Sequence, residues 1–342
     1  MKKAVYSLFA GVLIAGAPAF AQQIAPEILF DSVPNALQLP AGTYLGEVGG
    51  VATNSHGEIF VYTRTGHPTV SLGSSRPFQH GGSKLFEFDP AGKFVREIGK
   101  DTYAFNYAAQ VRVDSKDNIW VVDEMSNMVM KFDPQFHVVM LLGRKAENIA
   151  IPARGGGGRG DASGQPTDLF NRPTDVAWDA AGNIFVADGL GNARVAKFDK
   201  DGKFVKSWGK KGTGNGEFAN VRSIAVDADG DVYAADGGNK RIQVFDNNGV
   251  FKTAFTNVGN AQALCLTTNN VLYVSDSNPT NDIDSGGEIY RMSLDGAVTG
   301  KLGRAGKLLK EFGTVNAIDC RGENTLYVGE VGNLRVQKLI LH

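Results

Sequence analysis

The chain repeats one short unit several times along its length. Clear copies begin at Asn118, Asn183, Asp231 and Thr325 (NIWVVDEMSNMVMKFD, NIFVADGLGNARVAKFD, DVYAADGGNKRIQVFD and TLYVGEVGNLRVQKL). Weaker copies begin at Glu58 and Val271. A unit that recurs about every 40–65 residues is typical of solenoids and propellers. The repeat therefore constrains the fold far more than it constrains the activity.

Each copy consists of runs in which apolar and polar residues alternate, separated by turns rich in Asn, Asp and Gly. This period of two predicts half-buried antiparallel strands. Three strands per unit, with a fourth from the next segment, form one four-stranded blade of a β-propeller. Each repeat contains a tripeptide marker, V-x-D or a variant of it, and the marker occurs six times. Its third residues are Thr63, Asp123, Asp188, Asp236, Asp276 and Glu330. We therefore predict an all-β, six-bladed propeller.

The last repeat is one strand short, because the sequence ends at His342. We expect a strand near Ile28–Val33 to join the final blade and close the ring. Closure of this kind also covers a sheet edge that would otherwise be free to pair with another chain.

The N-terminal segment has the pattern of a secretory signal peptide. Lys2 and Lys3 precede an apolar run through Ile14, and Ala19-Phe20-Ala21 supplies a small-residue cleavage pattern. We predict cleavage after Ala21 and a secreted or periplasmic protein without membrane insertion. Residues 22–342 are then one propeller, with a flexible glycine-rich insertion at about residues 152–169. The formal net charge of −1 argues against a nucleic-acid partner.

The two cysteines, Cys265 and Cys320, fall in the first strands of blades five and six. Packed sheets lie about 10 Å apart, whereas a disulfide needs Cα atoms within about 6.8 Å. We therefore expect two buried free thiols. A disulfide, which an exported protein permits, is the alternative.

The repeats resemble the NHL repeat in its N-x-R-[IV]-x-x-F-D core, seen at Asn192/Arg194, Asn239/Arg241 and Asn333/Arg335. Four segments also resemble the peptidyl-α-hydroxyglycine α-amidating lyase group: LPAGTYLGEVGGVAT, FVYTRTGHP, FNRPTDVAWD and VADGLGNARV. That resemblance implies a six-bladed NHL propeller. It also implies a zinc-dependent lyase that releases an amidated peptide and glyoxylate.

The residues at the lyase group's catalytic positions do not fit that chemistry. Its three zinc histidines correspond to Ala109, Arg222 and Asn316, where alanine offers no ligand atom and a guanidinium repels a cation. Other functional positions differ as well: a calcium-binding aspartate is Ala317, a tyrosine is Leu190 and an arginine is Gly237. A second arginine is retained as Arg64. We therefore predict no catalytic set and no catalytic metal.

The starts of the inner strands converge at one mouth of a propeller channel, where ligands commonly bind. In this chain one residue from the start of each inner strand forms a ring at that mouth: Gly49, Ala109, Thr174, Arg222, Gln262 and Asn316. The ring holds no carboxylate, which disfavours a divalent-metal hydrolase of the gluconolactonase type. We predict a ligand-binding set around it: Arg64, Gln110, Thr174, Asp175, Arg222, Gln262 and Asn316. Arginines with amides and a hydroxyl suit a carboxylate or other anionic oxygen ligand. The alternative is that these groups only satisfy one another and channel water.

Two weaker patterns involve metals. An oxygen-rich loop contains Asp276, Asp282 and Asp284 with Asn278 and Asn281, and it is either a structural calcium site or a solvated Asx-turn loop. His67 and His80 lie in a long loop of the first blade and lack a third ligand, so we interpret them as surface histidines. We expect no bound cofactor.

The sequence thus favours a monomeric, exported propeller that acts as a binding or scaffold module. Its ligand would be a small anionic molecule, or its partner a protein or peptide. The alternative is a lyase or hydrolase related to the amidating lyases, with a site rebuilt around Arg64 and Arg222.

Overall fold

The computed structural model describes residues 25–65, 70–71, 77–78, 82–144, 169–277, 282 and 284–342. Within these ranges β-strands dominate, and the only helical element is one turn of 3-10 helix, Gly237–Asn239. The predicted signal peptide, His67, His80 and nearly all of the predicted glycine-rich insertion lie outside the described residues.

The first strand, β1 (Phe30–Val33), precedes the repeats. The first three blades then follow in chain order. Blade 1 contains β2 (Glu47–Thr53), β3 (Ile59–Arg64), β6 (Ser83–Phe88) and β7 (Phe94–Ile98), with a small pair β4 (Val70–Ser71) and β5 (Pro77–Phe78). Blade 2 contains β8 (Ala108–Val113), β9 (Ile119–Asp123), β10 (Met128–Phe132) and β11 (Val138–Gly143). Blade 3 contains β12 (Asp175–Trp178), β13 (Ile184–Asp188), β14 (Arg194–Phe198) and β15 (Phe204–Trp208).

The last three blades repeat this order. Blade 4 contains β16 (Ile224–Val226), β17 (Val232–Asp236), β18 (Arg241–Phe245) and β19 (Phe251–Phe255). Blade 5 contains β20 (Ala261–Leu266), β21 (Leu272–Asp276), β22 (Glu288–Met292) and β23 (Val298–Leu302), and a parallel pair follows it, β24 (Arg304–Ala305) and β25 (Glu311–Phe312). Blade 6 contains β26 (Val315–Asp319), β27 (Thr325–Glu330) and β28 (Arg335–Leu341). Six four-stranded antiparallel sheets result, which confirms the predicted fold class.

The ring closes as predicted. Strand β1 pairs antiparallel with β28, with Phe30 opposite Leu341 and Val33 opposite Lys338. The fourth strand of blade 6 thus comes from the other end of the chain. Phe30 is buried and stacks near Phe312, with 6.5 Å between the ring centroids.

The core lies between the blades. Phe60 and Tyr62 of blade 1, for example, share one apolar cluster with Val111 and Val121 of blade 2. Burial of a large apolar side chain is worth about 1.5–3 kcal/mol, so these interfaces hold the ring together.

The expectation of free thiols is wrong. Cys265 and Cys320 form a disulfide between β20 and β26, and their Cα atoms are 5.9 Å apart. The sheet spacing of about 10 Å, on which that expectation rested, applies to extended sheets packed face to face. Neighbouring inner strands converge toward the channel of a propeller, so here they come within bonding reach.

No helix in the described ranges has the length and apolarity needed to cross a bilayer.

Candidate ligand-binding site

The carboxylate that ends the repeat marker has a structural role in three blades. Asp188, at the end of β13, is buried and accepts hydrogen bonds from Asn192 Nδ2 (2.7 Å) and Arg194 Nε (2.8 Å). It also accepts the backbone N–H of Asn171 (2.8 Å), while Arg194 Nη2 donates to the Leu169 carbonyl (3.0 Å). The carboxylate and the guanidinium together hold the segment that leads into the blade.

The same clamp recurs in two other blades. Arg241 Nε donates to Asp236 (2.9 Å) in blade 4, and Arg335 Nε donates to Glu330 (2.8 Å) in blade 6. Arg241 Nη2 in blade 4, and both Nη1 and Nη2 of Arg335 in blade 6, also donate to carbonyls of the preceding connection. The NHL-type residues therefore fix the connections and are not free to bind a ligand.

The channel is lined by the six inner strands: β2, β8, β12, β16, β20 and β26. We call the end where these strands begin the upper mouth and the end where they finish the lower mouth. The ring residues Gly49, Ala109, Gln262 and Asn316 lie where the pairing register of their inner strands shifts. Such β-bulges commonly re-aim side chains at functional sites. Thr174 lies immediately before β12, and Arg222 lies two residues before the start of β16.

The middle of the channel is closed by Arg112, which sequence reasoning missed. Its guanidinium forms a two-pronged ion pair with Asp175, with Nε–Oδ1 at 2.9 Å and Nη2–Oδ2 at 2.6 Å. Nη2 also lies 3.2 Å from Ser223 Oγ and 3.0 Å from the Leu264 carbonyl. Nη1 lies 3.4 Å from the Ile318 carbonyl. This side chain from blade 2 thus contacts blades 3, 4, 5 and 6.

Asp175 consequently belongs to the channel closure and not to the upper mouth. Its side chain is fully buried, and its Oδ2 also accepts Ser223 Oγ at 2.6 Å. Burial lowers the pKa of Arg112, but the Asp175 carboxylate outweighs this effect and the pKa is raised overall. The guanidinium therefore remains charged. The sequence signal was a lone arginine in the otherwise apolar end of the AAQVRV strand.

A polar floor separates Arg112 from the upper mouth. Asn316 Nδ2 donates to the Gly49 carbonyl (2.6 Å) and the Ala109 carbonyl (3.0 Å). Gln262 Nε2 donates to Asn316 Oδ1 at 2.8 Å. Two of the predicted ligand-binding side chains are thus brought together, and they link blades 5, 6, 1 and 2.

Arg64 forms one wall of the upper mouth. Its Nε donates to the Ala108 carbonyl (2.9 Å), and its Nη1 contacts Glu47 Oε2 (2.9 Å) and the Tyr107 hydroxyl (3.0 Å). The guanidinium also lies 3.7 Å from the centre of the Tyr107 ring. This arginine is held in place by neighbouring groups on blades 1 and 2.

Two other predicted residues mainly serve the backbone around them. Thr174 Oγ1 donates to the Val221 carbonyl at 2.7 Å. Gln110 is buried, and its Oε1 accepts the N–H of Val111 at 3.1 Å.

Arg222 differs from the other predicted residues. Its backbone N–H donates to the Ala235 carbonyl (2.8 Å), but no hydrogen bond between described residues involves its guanidinium. The side chain is half-buried, and burial lowers the pKa of Arg222. Glu124 acts in the opposite direction, while Arg172 and Arg64 reinforce the lowering. A partly desolvated cation beside other cations favours an anionic partner.

The two carboxylates of this part of the upper mouth are already engaged. Glu124 is buried and pairs with Arg172, which donates from Nε at 2.7 Å and also from Nη2. Glu47 pairs with Arg64. Three guanidinium groups thus face two carboxylates, which gives this part of the upper mouth one net positive charge. Sequence reasoning missed Glu124, Arg172 and Tyr107, although Arg172 lies within the lyase-like segment FNRPTDVAWD.

The zinc that the lyase resemblance implies does not fit these residues. Ala109 has no ligand atom, Asn316 Oδ1 already accepts a hydrogen bond from Gln262 Nε2, and Arg222 adds a positive charge. In the part of the chain that the structure describes, no three His, Cys, Asp or Glu side chains form a potential metal-binding group.

The predicted calcium loop is described only in part. The Asp276 carboxylate accepts the N–H of Asn260 at 2.8 Å, and Asp282 Oδ1 accepts the N–H of Asp284 at 3.1 Å. Asn278 and Asn281 lie outside the described residues, so calcium binding there stays a prediction.

Comparisons with known proteins agree with this architecture. A family described as a 6-bladed beta-propeller matches residues 168–300. The chain is 29% identical over 240 residues to peptidyl-glycine alpha-amidating monooxygenase of Mus musculus, covering 64% of this chain but only 23% of that protein. It therefore spans about a quarter of that relative's length.

Two further relatives are matched over more of their length. Peptidyl-alpha-hydroxyglycine alpha-amidating lyase 1 of Drosophila melanogaster is 26% identical over 330 residues, covering 86% of this chain and 57% of that protein. NHL repeat-containing protein 3 of Mus musculus is 26% identical over 284 residues, covering 75% and 72%. The chain is thus a six-bladed, NHL-like propeller that is similar to amidating lyases, as its repeats predict.

Solved structures support the fold alone. The virginiamycin B lyase of Staphylococcus aureus superposes with a TM-score of 0.56 at 13% identity, covering 92% of this chain and 100% of that one.

Proposed function

We propose that this propeller is a binding module whose upper mouth takes the carboxylate of a small anionic ligand, such as the C-terminus of a short peptide. The observation that carries the proposal is the Arg222 guanidinium, which is half-buried and has no hydrogen-bond partner among the described residues. A planar guanidinium can bind a carboxylate through two parallel, charge-assisted hydrogen bonds.

The surroundings of Arg222 support a carboxylate more than a neutral group. The excess of one positive charge would be balanced by a single carboxylate. Desolvation strengthens such a pair, since charges attract more strongly away from bulk water. The Gln262–Asn316 floor and the Arg64–Tyr107 wall are held by their own hydrogen bonds, so they offer a rigid frame around the ligand.

An amidating-lyase-like activity is the second candidate, and the names of the relatives favour it. The residues at the zinc positions oppose it. If the mouth kept only the recognition of a peptide carboxylate and lost the metal, the similarity in sequence and the loss of the histidines would both be explained.

We also propose that the protein is exported. The N-terminal signal pattern motivates this proposal, and the Cys265–Cys320 disulfide supports it, because disulfides persist mainly in oxidising compartments. Fractionation of the native cells followed by N-terminal sequencing tests it. We expect a periplasmic or secreted product that begins at Gln22, and an uncleaved cytoplasmic product would contradict the proposal.

Calorimetric titration with N-acetylglycine and its neutral amide tests carboxylate binding. The acid should bind at least about tenfold more tightly than the amide, since about 1.4 kcal/mol separates a charge-assisted pair from a neutral contact. Arg222→Gln should remove this preference, and Arg222→Lys should restore it only in part, because lysine lacks the fork. Arg291→Gln, on the outer part of blade 5, is the matched control. Equal binding of acid and amide, or no effect of Arg222→Gln in a folded variant, would overturn the proposal.

The lyase candidate needs a separate assay. Purified protein is incubated with a peptide that ends in α-hydroxyglycine, and glyoxylate release is measured with and without added zinc. We expect glyoxylate release at the same rate as in the buffer control. Release that depends on Arg222 would establish the enzyme instead of the binding module.

A further inference from the structure

A cavity lies at the lower mouth, on the side of Arg112 away from the upper mouth. It has a volume of about 360 Å³ and is half-enclosed by the ends of all six inner strands. Most of its wall is apolar, for example Val113, Ala177 and Ala225, and Trp178 and the Cys265–Cys320 disulfide border it. This volume falls within the range of small-molecule sites, about 300–1,000 Å³.

This cavity is separate from the upper mouth. Arg112 crosses the channel between them and is bonded to four other blades. A ligand in the lower cavity would therefore contact Arg112 from below and would not reach Arg222.

Arg112 offers this cavity a hydrogen-bond donor. Nε and Nη2 are fully engaged by Asp175, Ser223 and Leu264. Nη1 carries two hydrogens, and its one contact among the described residues is the Ile318 carbonyl at 3.4 Å, which is longer than a normal N–H···O bond. Arg112 Nη1 can therefore donate a hydrogen bond to a carbonyl oxygen of a ligand.

Asp319 offers an acceptor beside that donor. It lines the cavity, and the hydrogen bonds that reach its carboxyl from described residues come from Thr53, with Oγ1 at 2.7 Å and the backbone N–H. A carboxylate has about four lone-pair positions, so half of its capacity remains. Asp319 follows Ile318 directly, which places donor and acceptor near each other.

The charges in the cavity are balanced. The two arginines, Arg112 and Arg321, are matched by Asp175 and Asp319. Arg321 also donates to the Val113 carbonyl at 2.6 Å, and Asp117, which lies 3.7 Å from it, is not part of the cavity wall. A ligand with its own charge would have to be desolvated without a free counter-charge, which is costly. A neutral molecule avoids this cost.

We propose that the lower cavity binds a small, neutral, mainly apolar molecule through an amide or lactam group. The amide carbonyl accepts from Arg112 Nη1, and its N–H donates to Asp319. An amide carries both functions side by side. The apolar body of the ligand packs against the valine and alanine wall and Trp178.

Three probes of nearly equal size test the chemical class: benzamide is neutral, benzoate is an anion and benzylamine is a cation. Their affinities for the full-length mature protein are measured by ligand-observed NMR titration. We expect benzamide to bind at least about tenfold more tightly than either charged probe, which corresponds to about 1.4 kcal/mol. Tighter binding of benzoate or benzylamine would overturn the assignment.

Two variants locate the probe. Asp319→Asn keeps the shape of the site but changes its acceptor and should weaken benzamide binding about tenfold, the effect of losing one hydrogen bond to a charged group. Ala177→Leu fills the cavity and should abolish binding, while Arg291→Gln on blade 5 should leave it unchanged. Circular dichroism melting shows that each variant is folded. Binding that survives Ala177→Leu, or no saturable binding by the parent protein, would contradict the proposal.

Discussion

The residue that most affects the channel is Arg112. A single guanidinium from one blade holds a buried carboxylate of the next blade and carbonyls of two others. A buried ion pair of this kind adds little stability by itself, but loss of one partner leaves an uncompensated charge. Arg112 therefore fixes how the inner strands are arranged around the axis.

Asp175→Asn should lower the free energy of unfolding by about 3–5 kcal/mol, because it leaves the Arg112 charge buried without a partner. Urea unfolding followed by circular dichroism measures this change. Asp201→Asn is the matched control, since Asp201 pairs with Lys200 in solvent and its loss should have no measurable effect. Equal stability of Asp175→Asn and the parent would show that Arg112 does not depend on this carboxylate.

Asp319 should make stability depend on pH. Burial raises the pKa of Asp319 above its ordinary value of 3.8, and the hydrogen bonds from Thr53 only partly oppose this. The folded protein thus holds this proton more tightly than the unfolded chain does. The stabilisation that comes from this proton is fully present below pH 3.8, and it is lost as the pH rises through the folded-state pKa of Asp319.

Unfolding free energies of the parent and Asp319→Asn, measured from about pH 7 downward, test this linkage. The parent should gain stability relative to the variant as the pH falls, because only the parent takes up the extra proton. The variant controls for every other titrating group. A difference that stays constant with pH would mean that the pKa of Asp319 is not raised.

Two elements join parts of the ring that the repeats alone do not connect. Strand β1 completes blade 6, and the disulfide links the inner strands of blades 5 and 6. The first was predictable, because a missing strand in the last repeat can be counted. The second was not, since the distance between inner strands depends on how far the blades converge and not on any local pattern.

Phe30→Ala should destabilise the closure. Phe30 is buried against Phe312, and truncation of a core phenylalanine costs about 3–5 kcal/mol. Leu29→Ala is the adjacent control, because Leu29 is 72% exposed. Hydrogen exchange should also speed up in β28 of the Phe30 variant. Equal unfolding midpoints for the two variants would argue against closure by β1.

Removal of the disulfide should lower stability by about 4 kcal/mol, the loop-entropy value for a cross-link between residues 55 apart. Cys265→Ala/Cys320→Ala and the reduced parent should unfold at similar urea concentrations. The double variant is its own control, since a reductant should not affect it. Alkylation of two thiols in unreduced, denatured protein would show instead that the cysteines are free.

Across the whole propeller, the two ends of the channel differ in chemistry. The upper mouth is cationic and the lower cavity is neutral and mainly apolar, with Arg112 between them. A propeller hosts many unrelated functions, so the ring itself does not select one. The two mouths differ in chemistry because the inner-strand residues differ at their starts and ends.

The sequence was sufficient for the blades, since each is a local unit that repeats. The sequence predicted less well which polar residues of the channel contact one another. Gln262 and Asn316 lie together as their shared ring position suggested, whereas Asp175 is taken up by Arg112 from another blade. Some inward-facing polar side chains are engaged, like Thr174, and others, like Arg222, have no hydrogen-bond partner among the described residues. The difference depends on groups far away in the sequence. No repeat pattern carries that information.

The proposed binding module requires that Arg222 binds a carboxylate above a closed channel. A crystal structure of the protein with N-acetylglycine tests both parts at once. We expect the carboxylate within hydrogen-bonding distance of the Arg222 guanidinium, above the Gln262–Asn316 floor, with Arg112 still bonded to Asp175. A carboxylate bound elsewhere, or a channel open from one mouth to the other, would contradict it.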